Sequence, residues 1–441
     1  MTQDTLIISG QYLLPVARQD AVIADGGVVV QGDEILAVGP RSSLIKDFPD
    51  AARHHDEFGL VMPGLVNTHT HAAMSCLRGF ADDLPLMAWL QEHIFPIETK
   101  LTPEMVYQAT LLSLAEMIKS GTTSFCDMYL FAKDVARAVD QSGMRGWLGE
   151  VLYDFPSPCY GELENGFIYI EELFDQYRDH PLINITTNPH AVYTCSPELL
   201  QRLGEVAEKH DSIYHIHLSE NDSEVNGCRD SYNCSPVEHL DKLGLLSKRT
   251  LAAHCVKVDD NEIKILADRG VKVAHCQESN MKLASGIAPV VKMLQQGVTV
   301  SIATDGSASN NDVDLFGEMN TVAKIHKVAR MDPTVMGAET TLHCATQGGA
   351  DCLLAGSMIG SLTPGKKADL IVLDLNQPHL TPLYNIPSHL VYAARGGDVI
   401  HSMINGRMVM ENRQLLTLDE EKILSEMNRM QEKIITLRES S

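Results

Sequence analysis

The 441 residues carry 58 Asp and Glu against 35 Lys and Arg, a formal charge of −23. That balance argues against nucleic acid and anionic membrane surfaces as partners, since both need clustered cations, and no run of about 18 apolar residues offers a transmembrane helix. The length exceeds one ordinary domain but suits a large barrel with an appendage, with about three-quarters of the unfolded surface buried.

The start, Met1-Thr-Gln-Asp-Thr-Leu-Ile-Ile, lacks a basic n-region and reads as a strand rather than a signal peptide. A cytoplasmic location is therefore expected. Ten cysteines are scattered without CxxC spacing, which points to reduced, packed thiols rather than a cysteine zinc site or a redox motif. In residues 1–57, short β-branched runs at 5–9, 22–30 (turn at Gly26-Gly27) and 34–38 (turn at Gly32-Asp33) predict an antiparallel sheet too small to bury both faces. Residues 362–418 have the same texture, with Ala368–Asp374, then Val399 onward, and Asn405-Gly406 as a hairpin turn. The two segments are expected to form one β-sandwich domain from both ends of the chain.

Between them, residues 58–361 alternate apolar runs with helical stretches. The strand candidates are 61–67, 122–126, 146–152, 183–189, 213–218, 250–254, 271–275 and 299–304. Eight such runs, separated by helical patterns such as Pro103–Lys119 and Pro197–Lys209, predict an α/β fold, a (β/α)8 barrel. Residues 419–441 predict a C-terminal amphipathic helix, with Ile423, Met427, Met430 and Ile434 on one face.

The chemistry-bearing residues sit just past the strand runs. His69 and His71 share one face of an extended segment, so two imidazoles can clamp one metal ion. About one His-x-His pair is expected by chance at this histidine content, and a second exists at His215 and His217. The pair gains weight from its company: Asn188-Pro-His190 after strand four, His217-Leu-Ser-Glu220 after five, His254 after six, Asp305 after eight, and Glu98 in the loop after one. Buried apart, such groups would cost several kcal/mol each; gathered around a dication at one mouth, they satisfy one another.

The text of the chain resembles the amidohydrolase superfamily and, within it, the 5′-methylthioadenosine/S-adenosylhomocysteine deaminase family. The matching stretches are Pro63-Gly-Leu-Val-Asn-Thr-His-Thr-His71, Arg78–Leu90, Val192–Ser196, His217–Glu220, Ser279–Pro289, Thr304–Asn311 and Gly365–Leu373, and they span nearly the whole chain. The resemblance implies a mononuclear centre with His69, His71, His217 and Asp305 as ligands. Strand four has no lysine to carry the bridging group of binuclear relatives. Three imidazoles and a carboxylate suit one zinc ion per subunit, and Fe2+ fits the same set. His215 then reads as a core or supporting residue one layer down. Where relatives have Asn-Pro after the strand-seven His275, this chain has Cys276-Gln277-Glu278; Glu278 reads as a loop charge, as do Asp82 and Asp83.

The reaction implied is hydrolytic deamination of an aminopurine nucleoside. Asp305 would take a proton from water, Glu220 would protonate the purine ring, and His254 would orient the nucleophile and steady the oxyanion. Glu98 would bind the ribose hydroxyls and His190 the purine. Trp89 is divided between pocket wall and core. The resemblance also implies a homo-oligomer, to which the loop Pro156–Tyr160 could contribute. Competing readings are guanine-type or other aminopurine deamination, triazine-type hydrolysis, and a scaffold without activity. The 5′ substituent of the nucleoside stays open: Arg145 and Arg78 are candidates for a substrate carboxylate, with nothing in the sequence to tie either to the pocket.

Overall fold

The computed structural model describes residues 5–439; residues 1–4 of the expected first strand and 440–441 of the C-terminal segment lie outside the described residues. The N-terminal segment forms β1 (Thr5–Leu13), β2 (Ile23–Gln31), β3 (Glu34–Pro40) and β4 (Ala52–Pro63). β2 runs straight through Gly26-Gly27, where a turn was expected. A Cβ on Gly27 would meet the Ile8 carbonyl oxygen at 2.6 Å, and one on Gly26 would meet Leu13 Cβ at 2.6 Å. These glycines serve a close approach of β1 and β2, not a reversal.

The barrel strands are β5 (Leu65–Thr70), β6 (Thr122–Tyr129), β7 (Arg145–Leu152), β8 (Ile183–Ile185) with its continuation β9 (Asn188–Pro189), β10 (Tyr214–Leu218), β11 (Thr250–His254), β12 (Lys272–His275) and β13 (Thr299–Ile302). The returning segment supplies β14 (Leu370–Asp374), β15 (Val399–Ile404), β16 (Arg407–Glu411) and β17 (Gln414–Leu415). The apolar run 61–67 is therefore two strands. β4 continues to Pro63, past the break expected at residue 57, and pairs there with Leu370 of β14; β5 opens the barrel.

The terminal segments build one mixed sheet, ordered β17-β16-β15-β14-β4-β1-β2-β3, where two packed sheets were expected. It curls until its β3 edge meets the segment leading into β14: Ile35 N–H donates to the Lys366 carbonyl and Gly365 N–H to that of Ile35, both at 2.8 Å. Curling lets a single sheet bury Ile8, Val28, Val30, Val61, Leu370 and Val372 against each other. The opposite face buries Ile7 and Val29 under Leu44 of the short helix Arg41–Asp47.

In the barrel, β5 to β8 and β10 to β13 are parallel ladders. The seam between the two is closed by Thr187 N–H to Ile213 O and His215 N–H to Thr187 O, each 2.9 Å. β13 closes on β5 through Asp305 N–H to His69 O (3.1 Å) and through side chains, Asn67 Nδ2 to Thr304 Oγ1 (2.8 Å) and Thr68 Oγ1 with Ser301 Oγ (2.6 Å). This closure brings the ends of the first and last strands together, which is what the site needs. The C-terminal helix, Glu420–Glu439, buries Ile423, Met430 and Ile434 and lies on the barrel helix Pro103–Lys119, with Lys119 Nζ 2.6 Å from the Glu420 carboxylate. No described helix is long and apolar enough to cross a membrane.

Candidate metal centre and active-site pocket

The carboxyl ends of the barrel strands gather His69, His71, His217, His254, Glu220 and Asp305. Three of the strand ends turn sharply to aim these groups: Ser219, His254 and Asp305 have φ of 52°, 71° and 64°. Left-handed backbone is uncommon for such residues and accumulates where side chains must be placed against local preference.

The imidazole hydrogen bonds settle which nitrogen faces the centre. His71 Nδ1 donates to the Met128 carbonyl, and His217 Nδ1 donates to that of His190 at 2.9 Å. A carbonyl can only accept, so in the neutral ring, the form that ligates a metal, each Nε2 carries its lone pair into the centre. His69 Nδ1 lies 2.9 Å from His215 Nε2, and His69 Nε2 is buried with no hydrogen-bond partner. The converging atoms are 3.2 Å apart for His71 and His217 Nε2, 3.2 Å for His71 Nε2 and Asp305 Oδ1, and 3.4 Å for His69 Nε2 and Asp305 Oδ1. A tetrahedron with arms of about 2.0–2.1 Å has edges of about 3.3–3.4 Å, so the donor types and these three spacings fit a zinc-sized dication.

The electrostatics agree. Burial lowers the His69 imidazole to about 4 and takes that of His217 well below its ordinary value. Burial also opposes a cation on His71, but the Asp305 carboxylate and the Met128 carbonyl override it and push the ring up to about 9. Burial would raise Asp305, yet its imidazole neighbours hold it well below the usual carboxylate range. A carboxylate ionised in so dry a place demands positive charge beside it.

A second potential ligand group, His54, His401 and Glu411, lies on the terminal sheet and fails the same test. There the Asn412 N–H donates to His401 Nδ1 at 3.3 Å, which puts the ring proton on Nε2, 3.3 Å from Asp56 Oδ1. That cluster is satisfied by protons.

Supporting contacts hold each group. Asp305 Oδ2 accepts from Ser279 Oγ (2.7 Å) and Ser309 Oγ (2.8 Å). His254 Nδ1 is 2.9 Å from Asn280 Oδ1, an acceptor, so Nδ1 donates; Nε2 faces Glu220 Oε2 at 4.0 Å. Burial raises the Glu220 carboxyl, the nearby Asp305 charge adds to it, and His254 opposes it. Glu224, pushed up to about 7 by burial, accepts from the Ser219 and Glu220 N–H groups and pins that turn. His190 Nδ1 is 2.8 Å from Thr194 Oγ1, whose own proton goes to the Ala191 carbonyl; Nε2 of His190 is left as an acceptor. Glu98 ends the short helix Phe95–Glu98, and burial raises its carboxyl.

One cleft opens on the centre, and its lining includes His71, Glu98, His190, His217, Glu220, His254 and Asp305. A π-helical turn, Trp89–Ile94, lets Trp89, Leu90 and Ile94 line it from the loop after β5; Trp89 belongs to the wall and to the core together.

Several sequence expectations are placed elsewhere. His215 supports His69 from below, and its other nitrogen meets Cys126 Sγ at 3.5 Å. Glu278 is not a loop charge: it lies in the helix Gln277–Lys282 and accepts from Thr321 Oγ1 at 2.5 Å, while Glu318 accepts from the Gln277 and Glu278 N–H groups. The Cys276-Gln277-Glu278 departure is thus a helix start held by a buried carboxyl. Asp82 pairs with Lys282 at 2.6 Å. Neither arginine reaches the cleft: Arg145 is bidentate on Asp369, and Arg78 pairs with Glu116. Ser279, Asn280, Ser309 and Glu224 were not singled out from sequence. The first three lie in matched motifs, but a hydroxyl or amide carries no sign of its partner until the strands are assembled. The ten cysteines are free thiols.

Comparison with known proteins agrees with this geometry. The pattern of the amidohydrolase family matches residues 60–409, and that of the bacterial imidazolonepropionase-like composite domain matches 26–51. The chain is 54% identical to the 5-methylthioadenosine/S-adenosylhomocysteine deaminase of Syntrophobacter fumaroxidans, covering 96% of both chains. It is 43% identical to the 5′-deoxyadenosine deaminase of Methanosarcina barkeri, covering 98% of each. Among solved structures, the zinc-bound adenosine deaminase of Xanthomonas campestris superposes with a TM-score of 0.95 at 38% identity, covering 98% of this chain and 99% of that one. The chain belongs to the amidohydrolase family and sits, within it, among the 5-methylthioadenosine/S-adenosylhomocysteine deaminases.

Proposed function

We propose that the protein hydrolytically deaminates an adenosine-type nucleoside at C6 of the purine, releasing ammonia, and that His69, His71, His217 and Asp305 hold one zinc or ferrous ion. The observation that carries the reading is the convergence of three imidazole Nε2 atoms and the Asp305 carboxylate on one point, beside a buried Glu220. When bound, the ion supplies the Lewis acidity that makes water a nucleophile near neutral pH.

The remaining work falls to the chain. Glu220, whose neutral form burial favours, donates in that form to the ring nitrogen next to C6 as the nucleophile adds. Asp305 takes the proton released by water and passes it to the departing amine; Ser279 and Ser309 hold its far oxygen so that the other keeps its direction. His254, oriented by Asn280, faces the developing oxyanion. His190 presents an acceptor to the purine, and Glu98 accepts from the two ribose hydroxyls.

The ribose contact separates a nucleoside deaminase from a free-base deaminase on the same scaffold. Glu98→Ala should lower kcat/KM for an adenosine nucleoside by about 100-fold, the range for a lost bidentate charged contact, and leave free-base turnover unchanged. Nucleoside kinetics untouched by Glu98→Ala would show that the substrate class is wrong.

A further inference from the structure

We infer that the pocket selects nucleosides whose 5′ substituent is uncharged and apolar and rejects one ending in a zwitterionic amino acid; this rests on the nucleoside reading above. Outward from the metal centre the wall is a run of rings. His190 lies edge-on to Tyr153 (ring centroids 6.5 Å), Tyr153 stacks on Phe155 (3.9 Å), and Phe155 meets Phe95 (6.2 Å). Phe95 begins the helical turn that ends in Glu98. A substituent projecting from a ribose held at Glu98 therefore enters a space walled by Phe95, Phe155, Leu86 and Leu130.

What the wall lacks is as informative. Among the described residues lining the cleft there is no lysine or arginine, while Glu98, Glu220 and Asp305 are all there. The cations flanking the lining in sequence are committed elsewhere: Lys100 donates to the Leu437 carbonyl (3.0 Å), Lys133 to Glu172 (2.5 Å) and Lys257 to Asp222 (2.9 Å). Lys282, next to lining Leu283, donates to Asp82 (2.6 Å), to the Ala308 carbonyl (3.2 Å) and to Asn311. Arg78 is held by Glu116 and by the Asn311 carbonyl at 2.8 Å. On β7, Glu150 is buried, its carboxyl accepting from Ala132 N–H at 2.8 Å, a further acid rather than a counter-charge, while the buried Arg145 of that strand is held by Asp369. A methylthio or hydrogen substituent loses nothing by leaving water here. A homocysteine tail would surrender the hydration of its carboxylate for rings and acids.

Three substrates test this with the holoenzyme, read as ammonia release: 5′-methylthioadenosine, 5′-propylthioadenosine and S-adenosylhomocysteine. The two uncharged thioethers should agree within about tenfold, and S-adenosylhomocysteine should have a kcat/KM lower by about 100-fold or more, the range for an unpaired buried charge. Phe155→Arg, which puts a cation at the rim, should narrow that gap at least about tenfold, mainly through KM for S-adenosylhomocysteine. S-Adenosylhomocysteine turned over within tenfold of the methylthio substrate overturns the inference. So does a propylthio substrate as poor as S-adenosylhomocysteine, because length rather than charge would then be the limit. Ammonia from none of the three would instead overturn the deaminase reading, and this one with it.

Discussion

Single side chains in this protein are legible only through their partners. Glu220 is an ordinary acid by residue type, yet it is buried beside Asp305, and both effects favour its neutral form. In the proposed role of general acid, Glu220 works while protonated, so its raised pKa would extend activity upward in pH, with rate falling as pH climbs through that value. Glu220→Gln should remove this basic limb from the pH profile and lower kcat by about 100- to 10,000-fold, with metal content unchanged by elemental analysis. A basic limb that persists in Glu220→Gln would move the assignment to another group. His215 illustrates the same point from the other direction. Spacing alone made it as good a ligand as His217, and only the Glu220 that follows His217 favoured the latter; the structure separates them by what stands opposite, the His69 ring for one and a backbone carbonyl for the other.

At the scale of elements, local chemistry decided turns more reliably than it decided strands. Asn405-Gly406 forms the expected reversal between β15 and β16, with both residues at positive φ, 51° and 74°. A Cβ on Gly406 would also lie 1.9 Å from the Gly32 carbonyl oxygen. Gly406→Val should therefore cost about 2–4 kcal/mol from backbone strain and overlap, visible as a lowered thermal midpoint; an unchanged midpoint would mean the turn is not held as described. Gly26-Gly27 carries a similar turn signal, but the chain runs straight because β1 packs on it too closely for side chains. The run 61–67 is apolar up to Val66 apart from its Pro63-Gly64 break, and β4 and β5 divide at that break, both fully buried there and differing in which sheet claims them.

For the molecule as a whole, the join between barrel and terminal sheet rests on a buried ion pair. Arg145, 1% exposed at the start of β7, donates from Nε and Nη2 to Asp369 (2.7 and 3.0 Å) and also reaches Asn405 Oδ1 (3.0 Å) at the β15–β16 turn. Asp369→Ala leaves that guanidinium buried without its partner and should cost about 3–5 kcal/mol, whereas the double change Arg145→Met with Asp369→Leu should recover much of the loss. Denaturant unfolding of the three proteins checks it; equal stability of the single and double variants would show that the pair does not join the domains.

From sequence alone came the alternation of strand and helix, the strand runs to within a few residues, the pairing of the two ends into one domain, and the set of histidines and acids at strand ends. Those depend on periodicity and on residue type, which are local. Tertiary structure decided that the terminal domain is one curled sheet, which nitrogen of each imidazole faces the centre, that Ser279, Ser309, Asn280 and Glu224 hold the reactive groups, and that Arg145 and Arg78 are committed elsewhere. Most of these are contacts between residues tens to hundreds of positions apart; Ser309 and Glu224 reach only four or five positions, through turns whose shape the sequence does not announce. A donor or a charge acquires its role from the group it meets, and that meeting exists only once the barrel has closed.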